Sequence, residues 1–421
     1  MILNHVTKYI DVNGIAHKIN KTKVSDIIRD NPRQAKRMVA LAYGIGKTLN
    51  SKIPDNLCLV SLVAIRDDVR REVPNAVARM QHAGIHVIMM TGDILDTARA
   101  IGIDSGIVKS DADLVLTAHE LDLMPDDEIK KNLYNIKVIA RAVPQTKLRL
   151  VKIAQEMHLC IGMCGDGTND APALKRADVG FAMGSGTDVC KEAGDIIITD
   201  DNFVSITDAV LFGRTFLNNI TKFLMFQMPI NIMLVILSLI YPIIYVVPAF
   251  VAVQILVINI VMDSLNSLSF GAEPAKPEYM TTPPKHKGAS LFADGVASRI
   301  FASCIEFGII FGILFLSPIQ NIFGPDPNTN LTVRFALIML VAAFNGFNVR
   351  TDNIYLLRGI KKNPSFIIIA CLIIFGTFII VNYGGELFQV VPLSGKQWLT
   401  LMTLAILIIP MDITRKIFGK I

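Results

Sequence analysis

Six apolar blocks fill the second half of this chain, and a chain that carries them has to fold in two different solvents. They lie near 217–241, 248–271, 296–318, 331–348, 364–382 and 397–414, close to the ~20 residues that a helix needs to cross a bilayer. In hydrocarbon a backbone must satisfy its own N–H and C=O groups, so each block is predicted to be a helix. The fifth is almost uninterrupted from Phe366 to Val381, and the third carries Glu306 as its one charge. An even number of crossings returns the chain to its starting side. Lys276, Lys285 and Lys287 follow the second block, Arg350, Arg358, Lys361 and Lys362 the fourth, and Arg415, Lys416 and Lys420 the sixth. The loops SPIQNIFGPDPNTN and NYGGELFQVVPLSG contain no basic residue, Arg334 and Lys396 standing only at the thresholds of the next blocks. The excess of positive charge places the three basic segments in the cytoplasm.

Ahead of about Gly213 the pattern changes to charged stretches between short apolar runs, as expected for an aqueous compartment. The start, apolar from Met1 to Leu3, is interrupted by His5, Lys8 and Asp11, so no cleavable leader is expected and this part should stay in the cytoplasm. A net charge of +5, spread over loops and the soluble part, gives no basic stripe, and nucleic acid is not an expected partner. The six cysteines show no metal-like pairing and read as reduced, small apolar residues. Apolar runs at 57–65, 85–90, 137–141, 159–164, 179–183 and 195–199 alternate with helical stretches and predict a parallel α/β sheet. Residues 1–50, with the polar insert NKTKVSD, stand apart as a piece of another domain.

Chemistry concentrates at the ends of those strands. The run GDGTNDAPALKRADVGFAMG, Gly165 to Gly184, follows the strand LCIGMC, so Asp166 and Asp170 fall on the turn where open α/β sheets hold ligands. Oxygen-only donors of this kind suit Mg²⁺, which takes one or two carboxylates and shares a substrate phosphate. Thr91, Gly92 and Asp93 close the second run, where a hydroxyl and free amides at a helix start can hold phosphate oxygens. Lys147, in ARAVPQTK, can bring an ammonium to the same strand ends. GIGKT at 44–48 is not a phosphate-binding loop, because Leu41 occupies its first glycine position.

MTGD, ARAVPQTK and GDGTNDAPALKRADVGFAMG, in that order, resemble the phosphorylation domain of the P-type cation-transporting ATPases, members of the haloacid-dehalogenase superfamily. The likeness extends over essentially the whole chain. It implies a Rossmann-like α/β phosphorylation domain at 51–213, a remnant of a nucleotide-binding domain at 1–50, and an all-α membrane domain of six helices at 214–421. It further implies that Thr91, Gly92, Asp93 and Lys147 serve the phosphoryl group, that Asp166 binds Mg²⁺ with Asn169 and Asp170 in support, and that Asp67, Arg70 and Arg141 lie near ATP. IRDDVR occupies the place of a hinge that usually reads DPPR, with Asp68 and Val69 replacing the prolines. The family's nucleophilic aspartate belongs to a DKTG sequence, which occurs nowhere in these 421 residues.

In the membrane half Asn231 interrupts an apolar face just after Pro229, and Asn259 and Asp263 stand four residues apart, a spacing that puts both on one α-helical face. A carboxylate in mid-membrane costs at least ~2.5–3.5 kcal/mol on insertion scales, which makes Asp263 a functional candidate. Carboxylate and amide oxygens suit a hard cation. INIVMDSLNSLSFGAEP resembles the sixth membrane helix of plasma-membrane-like and bacterial calcium pumps. Leu234 stands where pumps that carry two ions have an acid, so the resemblance implies one Ca²⁺ per cycle, with a further ligand on a fourth helix. Glu306 has no evident oxygen partner, and Asn345 and Asn348 read as helix-packing residues.

The expected function is that of the carboxyl-terminal part of an ATP-driven cation exporter at the plasma membrane, inactive when alone. Two rivals stand beside it. The chain could be one subunit of a split pump that assembles with a separate amino-terminal half, or a non-catalytic membrane protein.

Overall fold

The computed structural model describes residues 2–30, 36–44, 56–66 and 68–418. The chain divides into two compact units, one formed by Met1–Val210 with Met280–Gly288, the other by Leu211–Tyr279 with Ala289–Ile421.

In the first unit, β1 (Val6–Ile10), β2 (Ala16–Lys18), β3 (Lys36–Tyr43) and β4 (Leu57–Arg66) form one mixed sheet in the order β2-β1-β4-β3. β3 and β4 pair antiparallel, from Lys36 opposite Arg66 to Tyr43 opposite Cys58, while β4 runs parallel to β1. The run at 57–65 therefore does not join the parallel sheet that its apolarity suggested. An apolar run specifies burial but not a partner, and ALAYG in β3 supplies the partner here. Strands from both sides of position 50 share this sheet.

Two three-stranded parallel sheets follow. β5 (Met89–Met90), β6 (Leu114–Thr117) and β7 (Ile136–Ala140) are ordered β5-β7-β6, and β8 (Gly162–Gly165), β9 (Val179–Met183) and β10 (Ile196–Ile198) are ordered β10-β9-β8. Helix α1 (Pro144–Glu156) crosses from β7 to β8 and buries Leu150, Val151, Ile153 and Ala154. Met90 of β5 and Ile161, just ahead of β8, pack against the same cluster of Val151, Met163 and Leu174. β5 and β8 are thus neighbouring edges under one helix, yet they are not hydrogen-bonded to each other.

The second unit is helical. α2 (Phe203–Tyr245) is continuous through Pro229 and Pro242, and the division between the units falls within it. α3 (Ala252–Gly271), α4 (Val296–Ile313), α5 (Pro327–Arg350) and α6 (Pro364–Tyr383) follow. Among the described residues these five helices are long and apolar enough to cross a membrane. The sixth block is instead split into α7 (Gly395–Ile406) and α8 (Ile408–Phe418). Pro410 explains the break, because it has no N–H to offer the carbonyl of Ile406.

α5 is the central post. Every residue from Leu331 to Ala343 is buried, including Arg334. That guanidinium donates to the Ala249 carbonyl at 2.9 Å and the Tyr241 hydroxyl at 2.6 Å, and it stacks 4.0 Å over the Tyr241 ring. A charge so buried is tolerable only because its donors are used. Val235, Leu239 and Ile243 on α2, and Ile368, Leu372 and Phe375 on α6, remain exposed, as apolar faces meeting hydrocarbon would be.

Candidate functional site

Three parallel strands end at one edge of the first unit, and each hands over to a polar turn. After β5, the Thr91 hydroxyl donates to Asp93 Oδ2 at 2.9 Å, and the Asp93 amide donates back to Thr91 Oγ1 at 3.2 Å. The turn is fastened to β7: Thr91 N donates to Ile139 O, Arg141 N to Asp93 O and Ala142 N to Thr91 O. Arg141 takes a left-handed φ of 52° to make this junction. The structure thus brings Thr91, Asp93 and Arg141 together, with Gly92 exposed at the tip of the turn.

Lys147, in the first turn of α1, reaches the loop after β8, where its ammonium lies 2.5 Å from Asp170 Oδ1. Asp170 is 6% exposed. Its second oxygen accepts from the amides of Asp166 and Gly167 at 3.3 and 3.4 Å, so one carboxylate holds both the loop and the lysine. Gly165 is required for this arrangement, since a Cβ there would collide with Asp170. The Asp166 and Asn169 side chains are left at the surface of the loop. Asp166 is held from behind, with Thr187 N donating to its carbonyl at 2.9 Å. Close packing at Gly186 helps, where a Cβ would stand 2.8 Å from that same oxygen.

The electrostatics of β8 and its surroundings agree with a closed strand and an acidic loop. Burial pushes the Cys164 thiol up to about 12. Cys190 is raised by burial first and then by the charges of Asp170 and Asp166.

Of the residues expected near a nucleotide, Asp67 lies outside the described residues. Arg70 Nη1 donates to Asp201 O at 3.3 Å. The Asp201 carboxyl is held below its usual range, chiefly by the Ser185 amide. Asp201 and Ser185 were not legible as partners, being 131 and 115 residues from Arg70 in an unremarked part of the sequence.

The loop after β8 offers one surface carboxylate to a metal. Asp170 is engaged by Lys147 and two amides, which leaves Asp166 as the carboxylate open to a metal. One carboxylate, water and phosphate oxygens meet the usual requirements of Mg²⁺. Among the described residues no group of three or more His, Cys, Asp or Glu could hold a metal by itself.

In the second unit, Asp263 is 6% exposed and accepts from Gln227 Nε2 of α2 at 2.8 Å. Its Oδ1 is sealed from solvent with no hydrogen-bond partner among the described residues. Such an oxygen is a natural cation ligand, because leaving it bare is costly. The two residues expected to share a face differ in exposure, Asn259 being exposed and Asp263 buried. The segment Val257–Met262, which carries Asn259, is wound as a π-helix, whose bonds run i to i+5. Asn231 is half-buried on α2, one turn beyond Gln227, and Leu234 is buried. Pro229, between them, has no N–H for the carbonyl of Met225, which frees a main-chain oxygen in the same stretch. Gln227 was the residue missed, although a second polar group four residues before Asn231 was there to be read.

Residues 15–178 match the family model for haloacid dehalogenase-like hydrolases, and residues 247–418 that of the cation transporting ATPase C-terminus. The chain is 36% identical over 383 residues to human plasma membrane calcium-transporting ATPase 3, covering 83% of this chain and 31% of that protein. It is 34% identical over 411 residues to the calcium-transporting ATPase lmo0841 of Listeria monocytogenes, covering 94% and 46%. With the plasma membrane-type calcium-transporting ATPase 8 of Arabidopsis thaliana the identity is 32% over 441 residues, covering 99% and 41%. The chain therefore spans 31% to 46% of the length of these relatives.

Proposed function

From the premise that this chain belongs to the P-type cation-transporting ATPases, as an integral membrane protein matching their carboxyl-terminal part, we propose that it supplies half of the phosphoryl site and the exit half of an ATP-driven Ca²⁺ exporter. The observation that carries this reading is the cluster at the strand ends, where Lys147 grips Asp170 at 2.5 Å and leaves Asp166 open on the same loop. Thr91 and Gly92 hold phosphoryl oxygens, Lys147 offsets their charge, and Asp166 with Asn169 holds the metal. When bound, Mg²⁺ neutralises charge on the transferring group. Asp170 acts by fixing the loop and the lysine. Arg70, Arg141 and Asp67 serve the nucleotide.

Asp263 is the carboxylate of the transported-ion site, positioned by Gln227 and joined by Asn231. Asn259, on the exposed side of α3, meets a ligand-bearing element presented to that face. One Ca²⁺ per cycle fits a buried Leu234 beside a single carboxylate. The soluble part, up to about residue 213, lies in the cytoplasm, its nucleotide-domain piece sharing a sheet with β4 of the phosphorylation domain, and the membrane domain at 214–421 lies in the plasma membrane.

One feature favours completion by a further polypeptide segment, on this or another chain. β5 and β8 are parallel edges under the same helix, unpaired with each other. A parallel strand bearing DKTG, added between them, would join the two small sheets and bring a nucleophilic aspartate beside Asp166. The test is radiolabelled ATP with Mg²⁺. A DKTG-bearing segment added to the 421 residues should give a hydroxylamine-sensitive phosphoenzyme that is lost in Asp166→Ala. An unchanged yield in that variant would remove Asp166 from the site.

A further inference from the structure

Glu306 of α4 is 6% exposed, and its Oε2 is sealed from solvent with no hydrogen-bond partner among the described residues. It takes no part in the Asp263–Gln227 pair between α2 and α3. Three helices are tied together around it. Arg299, two turns earlier on α4, pairs with Asp352 and donates from Nη2 to the Asn348 carbonyl of α5 at 3.0 Å. Lys416 of α8 donates to the same carbonyl at 2.8 Å and lies 2.7 Å from Asp412 Oδ2. Asn348 Nδ2 donates to Ile408 O of α8 at 2.9 Å. Asn345 lies one turn from Asn348 on the same face. It is 1% exposed, and neither its Oδ1 nor its Nδ2 has a partner among the described residues.

We propose that Glu306 is a proton-binding site inside the membrane unit, separate from the cation site built on Asp263. The charged groups acting on Glu306 are Asp412, Arg415 and Lys416 from α8 and Arg299 from its own helix. Asp412 is already taken up by Arg415 at 2.6 Å and Lys416 at 2.7 Å, and Asp352 by Arg299. A metal ion bound at Glu306 would meet three cationic side chains with one carboxylate left to hold it. A proton is opposed by the same cations but needs no ligand beyond the carboxyl itself, whereas a metal ion needs several. The proton also turns a bare buried oxygen into an O–H donor. Loading forms one O–H bond with a proton taken from water, and unloading returns it to water.

Infrared spectroscopy of the full chain in lipid nanodiscs tests this. At neutral pH the spectrum should contain the carbonyl stretch of a protonated carboxylic acid, shifted by ¹³C-glutamate labelling and lost in Glu306→Gln. It should persist when Ca²⁺ is added. A missing band, a band indifferent to glutamate labelling, or a labelled band that survives in Glu306→Gln would overturn the proposal. Displacement of the band by Ca²⁺ would overturn it in favour of a cation site. Should Glu306→Gln fail to fold, Glu306→Asp keeps the test, because the glutamate-labelled band must then vanish and an unlabelled one take its place.

Discussion

Lys147 Nζ and Asp170 Oδ1 lie 2.5 Å apart, and their side chains are 15% and 8% exposed. Breaking a buried pair from one side leaves an uncompensated charge, at a cost of about 3–5 kcal/mol. Lys147→Met and Asp170→Asn should each loosen the loop after β8. The double variant should lose less than the sum of the two. Hydrogen exchange at the Asp166 and Gly167 amides, both bonded to Asp170, reads this directly.

Gly165→Ala should produce a similar loss by a different route. The new Cβ meets the Asp170 side chain, so either the carboxylate or the strand end must move, at roughly 1–3 kcal/mol for overpacking. Mg²⁺ titration followed at Asp166 by NMR should show weaker binding than in the parent chain. Equal affinity would mean that the Asp170 anchor is irrelevant to the metal.

At the membrane site, Asp263→Asn should abolish Ca²⁺ binding and Gln227→Leu should weaken it by about 10–100-fold, the usual effect of removing a group that orients a metal ligand. Asn259→Ala should have a smaller effect in the 421 residues taken alone, since its side chain faces outward. Calorimetric titration of the three variants separates these outcomes.

Asp178 sets an acid limit on the first unit. Burial works to raise its carboxyl, but the Lys287 ammonium at 2.5 Å and the Ile161 amide more than offset this and hold it below the usual value. A lowered folded value means that the contribution is fully present above the unfolded value of about 3.9 and is lost as pH falls through the folded one. Exchange protection of the Ile161 amide should therefore be flat from pH 7 to 5 and fall below about pH 4. Asp178→Asn should show the loss already at pH 7.

The strand-end chemistry was legible because it is local: TGD, VPQTK and GDGTND each carry their strand, turn and helix start within a few residues. What escaped depends on partners distant in sequence or on departures from ideal helix geometry. β4 reads as a parallel strand until β3 is seen beside it. Asn259 and Asp263 differ in exposure, which their spacing does not reveal, and the π-turn at Val257–Met262 leaves no mark in the residue pattern. The sixth apolar block reads as one span until Pro410 breaks its hydrogen-bond ladder at Leu407. Gln227 gained its meaning only from Asp263, 36 residues away on another helix.

The most direct test of the central claim is ATP-dependent uptake of radioactive calcium by sealed vesicles containing only these 421 residues. The account predicts no uptake, because the phosphoryl group proposed to sit among Thr91, Lys147 and Asp166 needs a DKTG aspartate, and these 421 residues contain none. ATP-dependent uptake that disappears in Asp263→Asn would contradict it.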